Sequence, residues 1–427
     1  MSRLLLIELN ELNFEMVERY AAKGHLPALA ALIGRHSYIE TASETEYADI
    51  EPWIQWVTAH TGQRLAEHGV RRLGDIVQTD HDQVWEMLER RGLKVGAFSP
   101  MNAKNRMKKP AFFVPDPWTS TPATAPPLVA RLHAAIAQAV SDNAEARLAP
   151  STLAVLALAA LRYARPANYA AYLSLAARSR KKPWLKAVFL DLLLADVFSD
   201  LCRRSRVDFA SIFLNAAAHI QHHYLHSSSV AEAPARNPDW YCPADADPIL
   251  DVYTVYDRVV GQLARRFPDY RLMIATGLHQ VAHPHPTFYW RLKDHAGFMA
   301  RLDVTPAKIT PLMSRDFVLD FADAAAAAAA ARRLEAVTAP DGPVFEVDNR
   351  GDSLFVTFVY PNDIGPDLHL TAGNRSIENL RDHVAFVAIK NGEHHGHGYL
   401  LDTGLADQTG EVLPLERLPD RVLQAFD

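Results

Sequence analysis

Three short stretches of this 427-residue chain are crowded with imidazole: His219-Ile-Gln-His222-His223-Tyr-Leu-His226, His279-Gln-Val-Ala-His283-Pro-His285 and Glu393-His394-His395-Gly-His397. A fourth, Glu8-Leu9-Asn10-Glu11, places two carboxylates and an amide near the N-terminus. Neutral imidazole is a leading ligand for zinc and other transition metals, and carboxylates complete such sites. A single histidine is more often a surface or structural residue. Three clusters together make a case for a bound metal, although the residue types alone name no reaction.

The elements around these clusters say where they can meet. Leu4–Leu9 is an apolar run that reads as a buried strand, and the amphipathic stretch Phe14–Ala22 reads as the helix after it. Val84–Arg91 reads as a helix stopped by Gly92, and Lys94–Phe98 as the next strand. Asp208–Leu214 and Arg271–Ala275 are further strands, the second preceded by a helix around Tyr253–Arg266. Such alternation predicts an α/β fold, a doubly wound and mostly parallel sheet flanked by helices. Ligands of open parallel sheets sit beyond the carboxyl ends of the strands. Each cluster follows or adjoins a predicted strand, so the four can converge on one edge.

Two segments break the rhythm. Residues 120–205 are rich in Ala and Leu with helical spacing and form a predicted helical insertion or cap. In residues 306–362 a strand at Asp316–Phe321, an Ala-rich helix over Ala322–Val337 and a hairpin from Val344–Val347 and Ser353–Tyr360 predict a small α+β insertion. The sheet domain is then divided among residues 1–119, 206–305 and 363–427.

Bulk properties exclude several classes. A net charge of −6 gives no basic footprint for nucleic acid. Cys202 and Cys242 make neither a disulfide framework nor a zinc knuckle. The apolar start is interrupted at once by Glu8, Asn10 and Glu11, unlike a signal peptide. The apolar stretch Thr152–Leu161 is too short to span a bilayer. A cytoplasmic protein without a membrane span is expected. Ser99–Lys109 concentrates Lys104, Arg106, Lys108 and Lys109 with Asn102 and Asn105. It reads as an anion site, with Asn102, Lys104 and Arg106 as substrate-binding residues, or as a solvated basic loop. Trp53, Trp56 and Trp118 are candidates for a pocket wall or for the core.

Several motifs in order resemble the alkaline phosphatase superfamily, nearest its type I phosphodiesterase/nucleotide pyrophosphatase branch. Leu4–Glu11 resembles its first strand, and His25-Leu-Pro27-Ala-Leu29 the motif after its first helix. Thr61-Gly62 with Glu67-His68-Gly69-Val70 is similar to the signature after the nucleophile helix. Phe213–His222 stands in the place of a D-x-x-x-H metal motif, Ile274–Gln280 in that of SDHG, and Glu393–Gly398 matches GxHxxxG. The resemblance covers most of the chain apart from the helical insertion. It implies one or two divalent ions, zinc or else manganese, held by His222, His394 and, with a one-residue shift, His279. It also implies a small phosphate ester or sugar-nucleotide-like substrate.

Departures from the pattern are equally plain. Asn10 stands where the family has its first aspartate, Ala218 where it has the second, and Gly277 or Leu278 where it has the third. Glu8 lies on the same strand face as Asn10 and is expected to compensate as a metal ligand. Where the family has a Thr or Ser nucleophile, alignment gives Glu51 or Pro52, neither a hydroxyl. Glu51 reads as a metal ligand, a general base, a nucleophile or simply a helix-start carboxylate. Glu51 and Asn10 are the expected catalytic pair. The expected function is a metal-dependent hydrolase or transferase acting on a phosphodiester, pyrophosphate or related ester. The alternatives are an inactive relative that binds a nucleotide, glycan precursor or protein, and new chemistry at a rebuilt site.

Overall fold

Strand β1 (Leu4–Leu9) has all six residues buried. Leu5, Ile7 and Leu9 join one hydrophobic cluster, and Leu4 and Leu6 another. A strand covered on both faces needs apolar residues at successive positions, which explains the unbroken run. In this computed structural model, residues 2–141, 150–312, 315–373, 375–405 and 412–427 are described. Residues 142–149 of the predicted helical insertion therefore lie outside the described residues.

The other strands of the main sheet are β2 (Ile39–Ala42), β3 (Val95–Phe98), β4 (Phe112–Val114), β5 (Phe209–Leu214), β6 (Arg271–Ala275), β7 (His397–Asp402) and β8 (Leu413–Pro414). Their order is β8-β2-β7-β6-β1-β5-β3-β4. The pairs β6–β1, β1–β5, β5–β3 and β3–β4 are parallel, whereas β7 runs against both β6 and β2. The predicted α/β architecture with a mostly parallel sheet is the observed one. Leu9 lies opposite Leu214, and Glu8 opposite Ala275, so β1, β5 and β6 end level. Asn10, Asn215 and Thr276 follow them on one edge.

The helices that matter for that edge cover both faces. Helix α1 (Phe14–Ala22) is capped by Asn13, whose side chain accepts from the amides of Glu15 and Met16, and it buries Phe14, Met16, Val17 and Tyr20. Helix α2 (Pro52–Thr61) starts on proline, whose missing N–H costs nothing at a first position, and is buried along nearly all its length. Helix α3 (Leu185–Ser205) closes the segment read as an insertion. Its Leu185, Val188, Leu192 and Phe198 share a core cluster with β1 and β5, so this helix is part of the sheet's cover. Helix α4 (Ala216–Tyr224) follows β5, and α5 (Pro248–Arg266), capped by Asp247, precedes β6. No helix among the described residues is long and apolar enough to cross a membrane.

A second compact unit spans His283–Asn391, a longer segment than the 306–362 read from the sequence. Its larger sheet runs Phe345–Asn349, Ser353–Phe358, Asp316–Asp320 and Lys308–Pro311, all antiparallel. The alanine helix, Ala324–Glu335, starts on an Asp323 cap and buries Ala327, Ala330, Ala331 and Leu334. That 3–4 spacing makes one apolar stripe out of a low-complexity run. The unit has its own apolar core, with Trp290, Phe317, Leu334 and Phe345 among its members.

In the first unit, β7 passes tightly over the turn that ends β6. A Cβ placed on Gly398 would lie 2.5 Å from the Gly277 carbonyl oxygen and 2.6 Å from its carbon. Gly277 has a φ of +72°. Backbone cannot yield as a flexible side chain does, so Gly398→Ala is expected to destabilise the first unit by about 2–3 kcal/mol. Chemical denaturation of the two proteins checks this.

Candidate metal centre

Beyond Leu9 the chain turns sharply. The Asn10 amide donates to the Leu214 carbonyl at 3.0 Å and the Glu11 amide to the Thr276 carbonyl at 3.1 Å, which ties the turn to both neighbouring strands. Glu11 has a φ of +60°, a left-handed conformation costing an ordinary residue about 1–2 kcal/mol. The Gln221 side chain donates to the Glu11 carbonyl at 2.8 Å, and the Tyr253 hydroxyl holds Gln221 at 2.8 Å. The result is a buried carboxylate just past the strand end. Its Oε1 accepts from Asn10 Nδ2 at 3.2 Å, and its Oε2 accepts from Gln280 Nε2.

Two imidazoles face the same carboxylate. His222 Nε2, from α4, lies 3.4 Å from Glu11 Oε2, and His394 Nε2, just before β7, lies 3.5 Å from it. The two imidazole nitrogens are 3.2 Å apart. Ligands bound tetrahedrally at 2.0–2.1 Å stand about 3.3–3.4 Å from one another, so these three atoms have the spacing of one tetrahedral face. Among the described residues they form the group able to hold an ion. Glu11 is 1% exposed, His394 13% and His222 34%, so the group opens to solvent on the His222 side.

Glu51 completes the surroundings. It caps α2 through its backbone, and its side chain makes no capping bond. Instead Glu51 Oε2 lies 3.5 Å from His394 Nδ1, the nitrogen opposite the one facing Glu11. His394 also hydrogen-bonds to the Ile50 backbone. Such outer contacts fix the ring and leave Nε2 available as a ligand.

Charge and burial oppose each other here. Burial pushes the Glu11 carboxyl up, but the His394 and His222 imidazoles more than reverse this and hold it well below the usual carboxylate range. Burial also disfavours charged His394, yet Glu11, then Glu51 and the Ile50 contact, outweigh it and raise the imidazole.

The remaining expected site residues are placed as follows. Asn10 is fully engaged: its Oδ1 accepts from Trp56 Nε1 at 2.7 Å, and its Nδ2 donates to Asn215 Oδ1 at 2.8 Å besides Glu11. Its oxygen thus faces an indole, and its amide nitrogen holds the Glu11 carboxylate. Glu8 shares the strand face of Asn10 as expected, but this turns it towards α2, away from the three ligand atoms. It pairs with His60 Nε2 at 3.0 Å, both side chains essentially fully buried. His279 also lies outside the group. Its Nδ1 is 2.7 Å from the His397 carbonyl, its ring packs on His395 and Tyr399, and burial pushes it down to about 4.

The residues of the basic loop have partners within the fold. Asn102 is buried and clamps other backbone: it donates to the Trp53 carbonyl at 2.9 Å and to Arg72 at 3.2 Å, and accepts from the Gly74 amide at 2.8 Å. Lys104 donates to the Thr79 carbonyl at 2.7 Å, and Arg106 to those of Asp80 and His81. These cations satisfy the carbonyls of the 79–81 loop. Trp56 is a core residue, and Trp53 and Trp118 pack against the same cluster. Glu11, which belongs to the Glu8–Glu11 cluster but is not among the expected ligands, is the carboxylate of the candidate group.

No protein-family model matches the chain, and no curated protein does. Among solved structures, phosphonoacetate hydrolase from Sinorhizobium meliloti 1021 in complex with phosphonoformate is similar at 11% identity and a TM-score of 0.47, over 100% of this chain and 96% of that one. Wild-type alkaline phosphatase PafA gives 11% and 0.47 over the same shares. Inactive murine ectonucleotide pyrophosphatase/phosphodiesterase 5 in complex with AMP gives 10% and 0.43, over 100% and 95%. At such values the chemistry must be argued from this chain's own residues.

The signs of the two shifts set a pH window for the metal-free protein. His394, raised by folding, adds stability that is complete below about pH 6.5 and is lost as pH rises through its raised value. Glu11, lowered by folding, adds stability above about pH 4.3 that is lost as pH falls through its lowered value. In an NMR titration of metal-free protein, His394 is expected to titrate above the ordinary histidine range. Glu11→Gln should bring it well below the wild-type value. An unchanged His394 would show that the carboxylate does not set its protonation.

Proposed function

We propose that this chain is a metal-dependent phosphoester hydrolase or transferase of the alkaline phosphatase superfamily, close to its phosphodiesterase/nucleotide pyrophosphatase branch. The observation that carries the reading is the convergence of Glu11 Oε2, His222 Nε2 and His394 Nε2 beyond the carboxyl end of β1. Two of those residues, His222 and His394, are the ones that the motif resemblance matches to metal-ligating histidines, which supports the reading. The bound ion would polarise a phosphoryl oxygen and acidify a coordinated water.

The protein's own groups define what else happens there. His222 and His394 offer their Nε2 atoms, and Glu11 faces both from a buried position. Asn10 and Gln280 hold the carboxylate in place. At the start of α2, where a hydroxyl nucleophile is expected, the chain has Glu51 followed by Pro52. Glu51 is 31% exposed and lies against the far side of the His394 ring. It is suited by position to take a proton from an attacking water or acceptor hydroxyl. The substrate class is a small phosphodiester, pyrophosphate or sugar-nucleotide-like ester. Zinc suits two imidazoles and a carboxylate, with manganese as the alternative; iron(II) uses the same donor set.

A second reading, a ligand-binding protein without turnover, is favoured by the absence of a hydroxyl at the start of α2 and by Glu8 and His279 standing apart from the ligand group. Plasma mass spectrometry on chelator-free protein, followed by assay with bis(p-nitrophenyl) phosphate, separates the two. About one ion per chain is expected, lost in His222→Ala and in His394→Ala. Glu51→Gln should keep the ion and lower kcat by roughly 10²–10⁴-fold. Metal-loaded wild-type protein that binds phosphate esters without hydrolysing them would select the binding reading.

A further inference from the structure

Five of the nine large hydrophobic side chains exposed among the described residues fall between residues 153 and 173: Leu153, Leu158, Leu161, Tyr169 and Leu173. Leu161 is 84% exposed and Leu173 73%. They belong to two helices, Pro150–Tyr163 and Tyr169–Arg178, both of which pack against α3. The inner faces bury Ala159 and Tyr163 on one helix and Tyr172 and Leu175 on the other. On the outer face of the first helix, Leu153, Ala154, Ala157, Leu158 and Leu161 recur at helical spacing, all exposed. A helix with one face packed ordinarily turns polar residues outward; this one is apolar on both sides.

The charge of the same segment is equally biased. From Pro150 to Leu190 the chain carries Arg162, Arg165, Arg178, Arg180, Lys181, Lys182 and Lys186, and no Asp or Glu, in a protein of net charge −6. Three of these are engaged internally: Arg165 with Gln262, and Arg178 and Lys182 with Asp251. Arg162, Arg180, Lys181 and Lys186 are exposed. Exposed aliphatic residues on two helices, with exposed cations near them in sequence, are what a peripheral protein presents to an anionic bilayer.

We propose that the outer face of the helices Pro150–Tyr163 and Tyr169–Arg178, with the basic stretch after them, docks on an anionic phospholipid surface. The leucines enter the acyl boundary, and Arg162, Arg180, Lys181 and Lys186 meet the headgroups. Charge decides against a second copy as the occupant, because a self-paired contact sets the same cations against each other. The exposed apolar side chains are leucines and alanines with Tyr169 as the one aromatic, which suits an acyl boundary better than a protein hot spot built on Trp and Tyr.

The test is flotation of the full chain with vesicles of phosphatidylcholine alone or mixed equally with phosphatidylglycerol. Binding is expected to the mixed vesicles, weaker on the neutral ones, and weakened by salt. Leu161→Ser/Leu173→Ser and Arg180→Glu/Lys181→Glu change only exposed side chains, and circular dichroism checks their fold. Each pair is expected to lower the partition coefficient roughly tenfold. Failure to float with the mixed vesicles overturns the proposal, as does flotation that neither pair reduces. Light scattering that shows a dimer dissolved by Leu161→Ser/Leu173→Ser, without vesicle binding, also overturns it and makes a second copy the occupant.

Discussion

A carboxylate with almost no access to water must be met by positive charge or by enough donors, and Glu11 imposes that requirement on the whole end of the main sheet. Asn10 and Gln280 supply donors, and His222 and His394 bring their rings up to the same oxygen. The supports of these groups reach further in. Gln221 holds the Glu11 backbone and is itself held by Tyr253 of α5, whose hydroxyl also accepts from the Asn13 amide. Asn13 in turn caps α1. A disturbance at one end of this chain of hydrogen bonds therefore reaches the ligand atoms.

Much of the frame was legible because it rests on periodicity. β1, α1 and β6 have the very boundaries that the apolar pattern predicts, and the alternation of elements yields the parallel sheet. The same period of two correctly put Glu8 and Asn10 on one face, where both meet α2: Glu8 through His60 and Asn10 through Trp56. Periodicity stops at the strand end, however. Glu11 lies two residues beyond it in a left-handed turn, and no pattern of side chains announces which way such a residue points. Its neighbours Glu8 and Asn10, the expected ligand and catalyst, are held by His60, Trp56 and Asn215.

The histidines show a similar division. His222 and His394 meet although 172 positions separate them, because α4 and the start of β7 both lie at the carboxyl edge of the sheet. His279 is on that edge too, but its ring is taken up by the carbonyl and rings of residues 395–399. In the basic loop, composition showed the cations and hid the carbonyls that absorb them. Charge density in a sequence reports a ligand site only where the fold leaves it unspent.

The ligand atoms come from positions 11, 222 and 394, and the first unit is completed only after the chain returns at Gly392. During synthesis, the site cannot exist until nearly the whole polypeptide has emerged. Between the second and third of these positions lie the more than a hundred residues of the other unit, His283–Asn391. An ion gripping all three segments would join stretches hundreds of residues apart, closing loops whose entropy cost grows only slowly with length. Metal retention would thereby report that the interrupted unit has closed, because a chain halted before residue 394 could offer at most two of the three ligands.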